Sequence, residues 1–267
     1  MIAVKEQSKS KLDQLTLNNF YVIMDFDRTI TTKDSNTTFS LFAISGLYKK
    51  EYLEEMNKNY NYYRPLEIDV NITEEEKIKV LKTWQQASNN LMLKYKVKES
   101  DITKIIQDEK LLTLREGVID FIYFLNEKNI PIIVSSAGIG NFIIELLKKY
   151  DCYTNNVYVY SNILKFKDNK IIDDFGKLIH SMNKNELELP EEVLKRLNNK
   201  KYAVVIGDQL SDINMAKNLP KEDTLSIGFL ETNIDETEKL FYDNFDIVLT
   251  NNENFYKIKE LLIEMRK

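Results

Sequence analysis

The sequence predicts an α/β protein: a parallel β-sheet covered by helices, with a purely helical segment inserted after the first strand. Three observations predict it. Short apolar or β-branched runs recur along the chain, and stretches of helical periodicity lie between several of them. From about Ser35 to Arg115, by contrast, no run looks like a strand, and the stretch is rich in Glu, Lys, Leu, Tyr and Met. Strands alternating with helices imply βαβ units and a sheet buried on both faces. Such sheets gather their functional groups at the carboxyl ends of the strands.

The strand-like runs are Phe20–Met24, Ile130–Ser135, Val157–Tyr160, Tyr202–Ile206, Leu225–Ile227 and Ile247–Leu249. Helical spacing appears at Gly117–Asn126, where Val118, Phe121, Ile122 and Leu125 are apolar, and again at Phe142–Tyr150 and Phe255–Met265. Within the inserted segment, Glu74–Leu93 and Glu99–Gln107 read as helices. Thr73 ahead of Glu74, Glu75 and Glu76 supplies a cap and an acidic first turn for the longer one. Leu164–Asp173, two alternating runs around Asp168-Asn169, reads as a β-hairpin.

Composition narrows the function. The 267 residues are 43% apolar and 30% charged, an ordinary globular balance that permits a substantial core. A net charge of −5 argues against nucleic-acid polymers and anionic membranes, which reward an excess of Lys and Arg. Cys152 is alone, so neither a disulfide framework nor a multi-cysteine metal site can form. The N-terminal MIAVKEQSKSKLDQ has no long apolar run, and no stretch approaches a membrane span, which sets the expectation of a cytoplasmic protein. The sequence says nothing about oligomeric state.

The chemistry begins at VIMDFDRTITT. Asp25 and Asp27 close an apolar run, where like charges repel and desolvation is costly, so either a cation sits there or the run is not a strand. Three other stretches supply what such a pair needs. In VSSAGIGN a strand runs into small residues and a helix; a dinucleotide fingerprint would need its third glycine at Ile143, but Ser136 beside free N–H groups suits a phosphate oxygen. In VVIGDQLSD a strand ends at Gly207-Asp208, with Asp212 four residues on, completing an oxygen-rich set fit for Mg²⁺. Lys184, in GKLIHSMNKNE, would offset carboxylate repulsion and neutralise an anionic substrate.

Together, Asp25-Phe26-Asp27-Arg28-Thr29, Ser136, Lys184 and Gly207-Asp208 through Asp212 resemble the four motifs of the haloacid dehalogenase (HAD) superfamily of phosphohydrolases. From Leu66 onward, LEIDVNITEEEKIKVLKTWQQASN, SSAGIGN, GKLIHSMNKNE, GDQLSDINMA and SIGFLETNIDE are similar to the cytosolic pyrimidine 5′-nucleotidase family, also called cytosolic 5′-nucleotidase III. The resemblance implies a HAD-like Rossmannoid core, residues 1–34 and 116–267, with a helical cap at 35–115. It also implies hydrolysis of nucleoside 5′-monophosphates such as CMP or UMP. Asp25 would be the nucleophile and Asp27 the general acid and base. Asp25, the Asp27 carbonyl, Asp208 and Asp212 would hold Mg²⁺, while Ser136, the Ala137 N–H and Lys184 would bind the phosphoryl group. Glu67 and Ser88 would face the base, and Thr29 would brace the loop.

Two departures stand out: Arg28 occupies a position expected to be apolar, and Ser35–Tyr63 does not follow the family pattern. His180 reads as structural, and Trp84, beside Val80 and Leu81, as core of the helical segment. Two other readings are open. One is a superfamily phosphatase for another small phosphomonoester, such as 7-methylguanosine monophosphate or phosphoserine. The other is a phosphoacceptor or binding protein that keeps the aspartyl-phosphate as a signal.

Overall fold

The structure, a computed structural model, describes residues 2–69, 71–184, 189–231, 234–250 and 253–264. The strands are β1 (Ile2–Val4), β2 (Phe20–Met24), β3 (Ile132–Ile139), β4 (Val157–Asn162), β5 (Phe166–Lys167), β6 (Lys170–Ile171), β7 (Tyr202–Gly207), β8 (Thr224–Phe229) and β9 (Ile247–Leu249). All but β5 and β6 form one sheet in the order β1-β9-β8-β7-β2-β3-β4. Six of its strands are parallel; only β1 runs antiparallel, against β9. The parallel runs match the predicted ones closely. The inserted segment follows β2, which is the first parallel strand but the second in the chain, because β1 is too short to leave an alternating pattern.

Burial on both faces explains the uninterrupted apolar runs. Val22 and Met24 of β2 join the main core, whereas Tyr21 and Ile23 join a second cluster with Ile133, Ala203 and Val205 on the opposite face. Side chains alternate across a strand, so each strand feeds both layers.

Helix α1 (Glu6–Gln14) precedes β2, and α2 (Leu41–Ile44), α3 (Lys50–Ile68), α4 (Glu74–Tyr95) and α5 (Glu99–Gln107) make up the inserted segment. The remaining helices are α6 (Val118–Glu127), α7 (Gly140–Lys149), α8 (Glu191–Leu197), α9 (Ile234–Asn244) and α10 (Phe255–Glu264); Met265, the predicted end of α10, lies outside the described residues. Thr73 caps α4 in a capping box with Glu76, as its sequence indicates. Helix α3 had no sequence warning: it is rich in Asn, Lys, Glu and Tyr, buries only Tyr52 and contains Pro65.

β5 and β6 form the predicted hairpin, with Asp168 and Asn169 both left-handed (φ 50° and 61°), as a tight two-residue turn requires. The chain leaves and re-enters the sheet layer through two adjacent linkers. Thr31 and Leu114 form an antiparallel bridge, and it is flanked by Thr32 N–H to Thr113 O (2.9 Å) and Arg115 N–H to Ile30 O (2.9 Å).

The helical segment is fused to the main core rather than merely resting on it. Leu41, Phe42, Tyr52, Met92, Ile102 and Ile105 belong to the same apolar cluster as the strands. Phe42 and Phe142, both fully buried, meet with ring centroids 4.8 Å apart. Removing the second ring leaves a cavity at this junction, so Phe142→Ala should lower unfolding free energy by about 3–5 kcal/mol in urea titration; a loss under about 1 kcal/mol would show that the two layers do not depend on this contact.

Candidate active site

β2 lies between β3 and β7, in register with both, so the residues following these strands converge at one edge of the sheet. Met24 pairs with Ile206, which sets Asp25 beside Gly207 and Asp208. Asp212 arrives on the 3₁₀ turn Leu210–Ala216 and folds back over Gly207. A β-carbon on Gly207 would lie 2.4 Å from that of Asp212, so only glycine admits this approach. Asp212 Oδ2 then accepts from the N–H groups of Asp208 (3.2 Å) and Gln209 (3.0 Å).

One oxygen from each of Asp25, Asp208 and Asp212 falls within 4.8 Å of the others. Lys184 is buried among them, donating to Asp25 and to Asp212 Oδ1 (3.0 Å). Its loop is tied down by Asn162 at the end of β4. That amide donates to Ala137 O (2.7 Å) and Ile179 O (2.8 Å), while its oxygen accepts from Ile179 N–H (2.9 Å).

Three carboxylates share one ammonium in a desolvated site, so ionising all three at once is costly. Burial raises Asp25 well above the usual carboxylate range, with repulsion from Asp212 and Asp208 adding to it and Lys184 opposing it. Burial and Asp212 push Asp208 up to about 7. For Lys184, burial works against the charged form, but Asp212 and Asp25 outweigh it and hold the ammonium charged. A crowded set of oxygen donors whose protonation rises without a cation fits a hard divalent ion such as Mg²⁺.

Asp27 does not join that cluster. Its carboxylate turns to Thr38, accepting the Thr38 N–H on Oδ1 (3.0 Å) and the Thr38 hydroxyl on Oδ2 (3.1 Å). Burial raises Asp27 to about 6 despite these donors. Asp27 (φ −68°, ψ 120°) and Arg28 (φ 69°, ψ 1°) have the dihedrals of a type II turn, in which the second position usually calls for glycine. With arginine there the strain is about 1–2 kcal/mol. Arg115 braces the turn, donating to Arg28 O (2.6 Å) and Thr29 O (2.9 Å) while pairing with Glu231 (2.9 Å) and lying 3.9 Å over the Phe229 ring. Thr29 donates to Asp208 Oδ1 (3.3 Å), which is the bracing role its motif position implies.

These groups open into a cavity of about 250 Å³ between the sheet edge and the helical segment, within reach of small-ligand sites. Asp25, Asp27, Ser136, Ala137 and Lys184 line its floor, and Glu67, Trp84 and Ser88 its wall. Ser136 Oγ accepts from Gly138 N–H (3.0 Å). Glu67 pairs with Arg64 and accepts from Ser181 across the boundary (3.4 Å). Ser88 donates to Trp84 O (3.1 Å).

Trp84 departs from its expected place: it is half-buried at the cavity wall, stacked on Tyr63 and edge-on to Tyr60. His180 is buried and also lines the cavity. Thr38, Arg115 and Gln85 also shape the site; Gln85 lies within the family-like stretch ending in TWQQASN, Thr38 and Arg115 in none. Gln85 donates to Ile179 O (2.8 Å) across the boundary, and its buried Oε1 has no hydrogen-bond partner. Each acts through contacts distant in sequence, so no local pattern could reveal it.

With the geometry in place, similarity to other proteins is informative. The pyrimidine 5′-nucleotidase (UMPH-1) family matches residues 23–266. A 7-methylguanosine phosphate-specific 5′-nucleotidase of Drosophila melanogaster is 31% identical over 256 residues, 92% of this chain and 80% of that protein. Its Homo sapiens counterpart is 29% identical over 249 residues, 90% of this chain and 83% of that protein. The crystal structure of cytosolic 5′-nucleotidase IIIB bound to cytidine superposes with a TM-score of 0.86 at 27% identity, covering 99% of this chain and 93% of that one. A substrate-bound phosphoserine phosphatase shares the fold, with a TM-score of 0.59 at 19% identity over 91% of this chain and 97% of that one. The site geometry and the match over nearly the whole chain agree: this HAD-like protein belongs to the pyrimidine 5′-nucleotidase family of phosphohydrolases.

Proposed function

We propose that this protein is a Mg²⁺-dependent phosphatase that hydrolyses nucleoside 5′-monophosphates, CMP and UMP foremost, to nucleoside and phosphate. The observation that carries this reading is a single cavity with Asp25, Asp27 and Lys184 at its floor and Glu67, Trp84 and Ser88 at its wall. That is one end for a phosphate and one for a nucleoside. The helical segment 35–115 then serves as the cap, and the cytoplasm is the proposed compartment, in keeping with the cytosolic neighbour. No described helix is long and apolar enough to cross a membrane.

In this reading an Asp25 carboxylate oxygen attacks phosphorus as the bond to the ribose oxygen breaks, and Asp27 delivers its proton to that leaving oxygen. Water next attacks the aspartyl-phosphate, Asp27 takes a proton from it, and the bond from Asp25 to phosphorus breaks to release phosphate. Lys184, the Ser136 hydroxyl and the Ala137 N–H bind the phosphoryl oxygens throughout. Asp25, Asp208, Asp212 and the Asp27 carbonyl are the proposed ligands of Mg²⁺, which supplies positive charge to the phosphoryl group when bound. Glu67 can accept hydrogen bonds from base amino or imino groups.

A second reading makes 7-methylguanosine monophosphate the substrate. Trp84 and Glu67 both line the cavity, and an aromatic ring with a carboxylate in one cavity suits a positively charged base. The names of the Drosophila and human relatives favour it.

Three measurements test these assignments. Phosphate release from CMP, UMP, AMP, GMP, 7-methylguanosine monophosphate and phosphoserine, with Mg²⁺ or EDTA, should show metal-dependent preference for CMP or UMP and vanish in Asp25→Asn. Preference for 7-methylguanosine monophosphate would select the second reading, and no release from any would overturn both. Glu67→Gln should lower kcat/KM on the preferred nucleotide by about 10–100-fold, the cost of losing one charge-assisted hydrogen bond, while leaving phosphoserine turnover unchanged. An equal loss on every substrate would remove Glu67 from base recognition.

The third concerns pH. Carboxylates raised from 3.8 to about 6 (Asp27) and about 7 (Asp208) bind protons more tightly when folded, so they favour folding at low pH and lose that contribution as pH rises through those values. Metal-free Asp208→Asn should therefore melt above metal-free wild type at pH 8, with the gap shrinking by pH 5.5, and Mg²⁺ should raise the melting temperature of wild type far more than that of the variant. A pH-independent gap would contradict the electrostatic account.

A further inference from the structure

Thr38 lies between β2 and α2, in a stretch where the chain departs from the family pattern, and it is fully buried. Its backbone N–H donates to Asp27 Oδ1 (3.0 Å) and its hydroxyl to Asp27 Oδ2 (3.1 Å). The same hydroxyl oxygen accepts from the N–H of Ile139 (3.0 Å), at the end of β3. A backbone N–H can only donate, so the direction of this relay is fixed. Ile139 N–H occupies a lone pair of the Thr38 oxygen, which turns the hydroxyl hydrogen toward Asp27.

The loop is shaped to let this happen. A β-carbon on Gly138 would lie 1.9 Å from Thr38 Oγ1, so the hydroxyl fills the space that any other residue would need. Gly138 N–H in turn donates to Ser136 Oγ (3.0 Å). Asp27 is thus tied to the loop that presents Ser136 and Ala137.

Resting on the reading of Asp27 as general acid and base, we propose that Thr38 is the positioning residue that orients the Asp27 carboxylate toward the leaving oxygen. Two donors on one side of the carboxylate fix its plane and leave the opposite lone pairs facing the cavity. The residue does not line the cavity; it acts through Asp27. In formation of the aspartyl-phosphate its contribution is therefore confined to substrates whose leaving group needs a proton.

That confinement gives the test. A ribose oxygen leaves as a strongly basic alkoxide unless protonated, whereas p-nitrophenolate leaves without a proton. The comparison is kcat/KM, which reports formation of the aspartyl-phosphate, on CMP and on p-nitrophenyl phosphate for wild type, Thr38→Val, Thr38→Ser and Asp27→Asn. Thr38→Val removes the hydroxyl at nearly constant volume and should lose about tenfold or more on CMP but less than about threefold on the aryl ester; Thr38→Ser should restore both. Asp27→Asn should show the same selectivity more strongly. If Asp27→Asn loses equally on the two substrates, its assignment as acid falls. If Asp27→Asn is selective while Thr38→Val is not, or if Thr38→Ser fails to restore CMP turnover, the role of Thr38 is overturned. Should Thr38→Val fail to fold, Thr38→Ala, which also removes the hydroxyl, must give the same selectivity for the proposal to stand.

Discussion

The ammonium of Lys184, lodged between Asp25 and Asp212, is the contact on which the site depends. The parallel pairing of β2 with β7 brings acidic residues to one edge of the sheet, and such a cluster repels itself. One buried cation makes it tolerable, and much of the surrounding chain keeps that cation in place. Asn162 clips the lysine loop to β4 and to Ala137, Gly207 gives Asp212 room to fold back, and Thr29 ties Asp208 to the turn that follows Asp25. A charge deficit remains after Lys184 is counted. It is this deficit, rather than the number of carboxylates, that makes the edge receptive to a divalent ion.

Strain and support are paired in the same way around Arg28. A left-handed arginine is an unfavourable choice at a turn, and its cost is borne by Arg115, whose guanidinium holds two successive carbonyls while its charge is matched by Glu231 and its face by Phe229. Arg115 belongs to the returning linker and Glu231 to the loop after β8, so three distant stretches of chain hold the turn at Asp27-Arg28 in shape.

What the sequence disclosed and what it withheld follow a physical division. Six parallel strands were legible because burial on both faces demands unbroken apolar runs, and Asp25, Ser136 and Asp208 stood out because each follows such a run in a recognisable motif. Helix α4 announced itself through Thr73 and its acidic first turn. By contrast β1, three residues at an edge, and α3, whose surface is largely polar, leave little periodic trace. Thr38 and Gln85 are invisible for another reason: the partners of Thr38 are 11 and 101 residues away, that of Gln85 is 94, and such contacts exist only once the chain has folded. Trp84 was misplaced because spacing along a helix reveals which residues share a face, not whether that face meets a neighbour or a cavity.

The paired linkers carry a consequence for how such a chain can diversify. The outgoing segment at Thr31 and the returning one at Leu114 run side by side and are hydrogen-bonded to each other, so the excursion between them begins and ends at one doorway in the sheet layer. Residues added to or removed from the middle of that excursion change neither the spacing of the doorposts nor the register of β2. Helices such as α3 can therefore drift in length and composition, reshaping the wall against which a nucleoside would rest, while the carboxylates a few residues upstream keep their geometry.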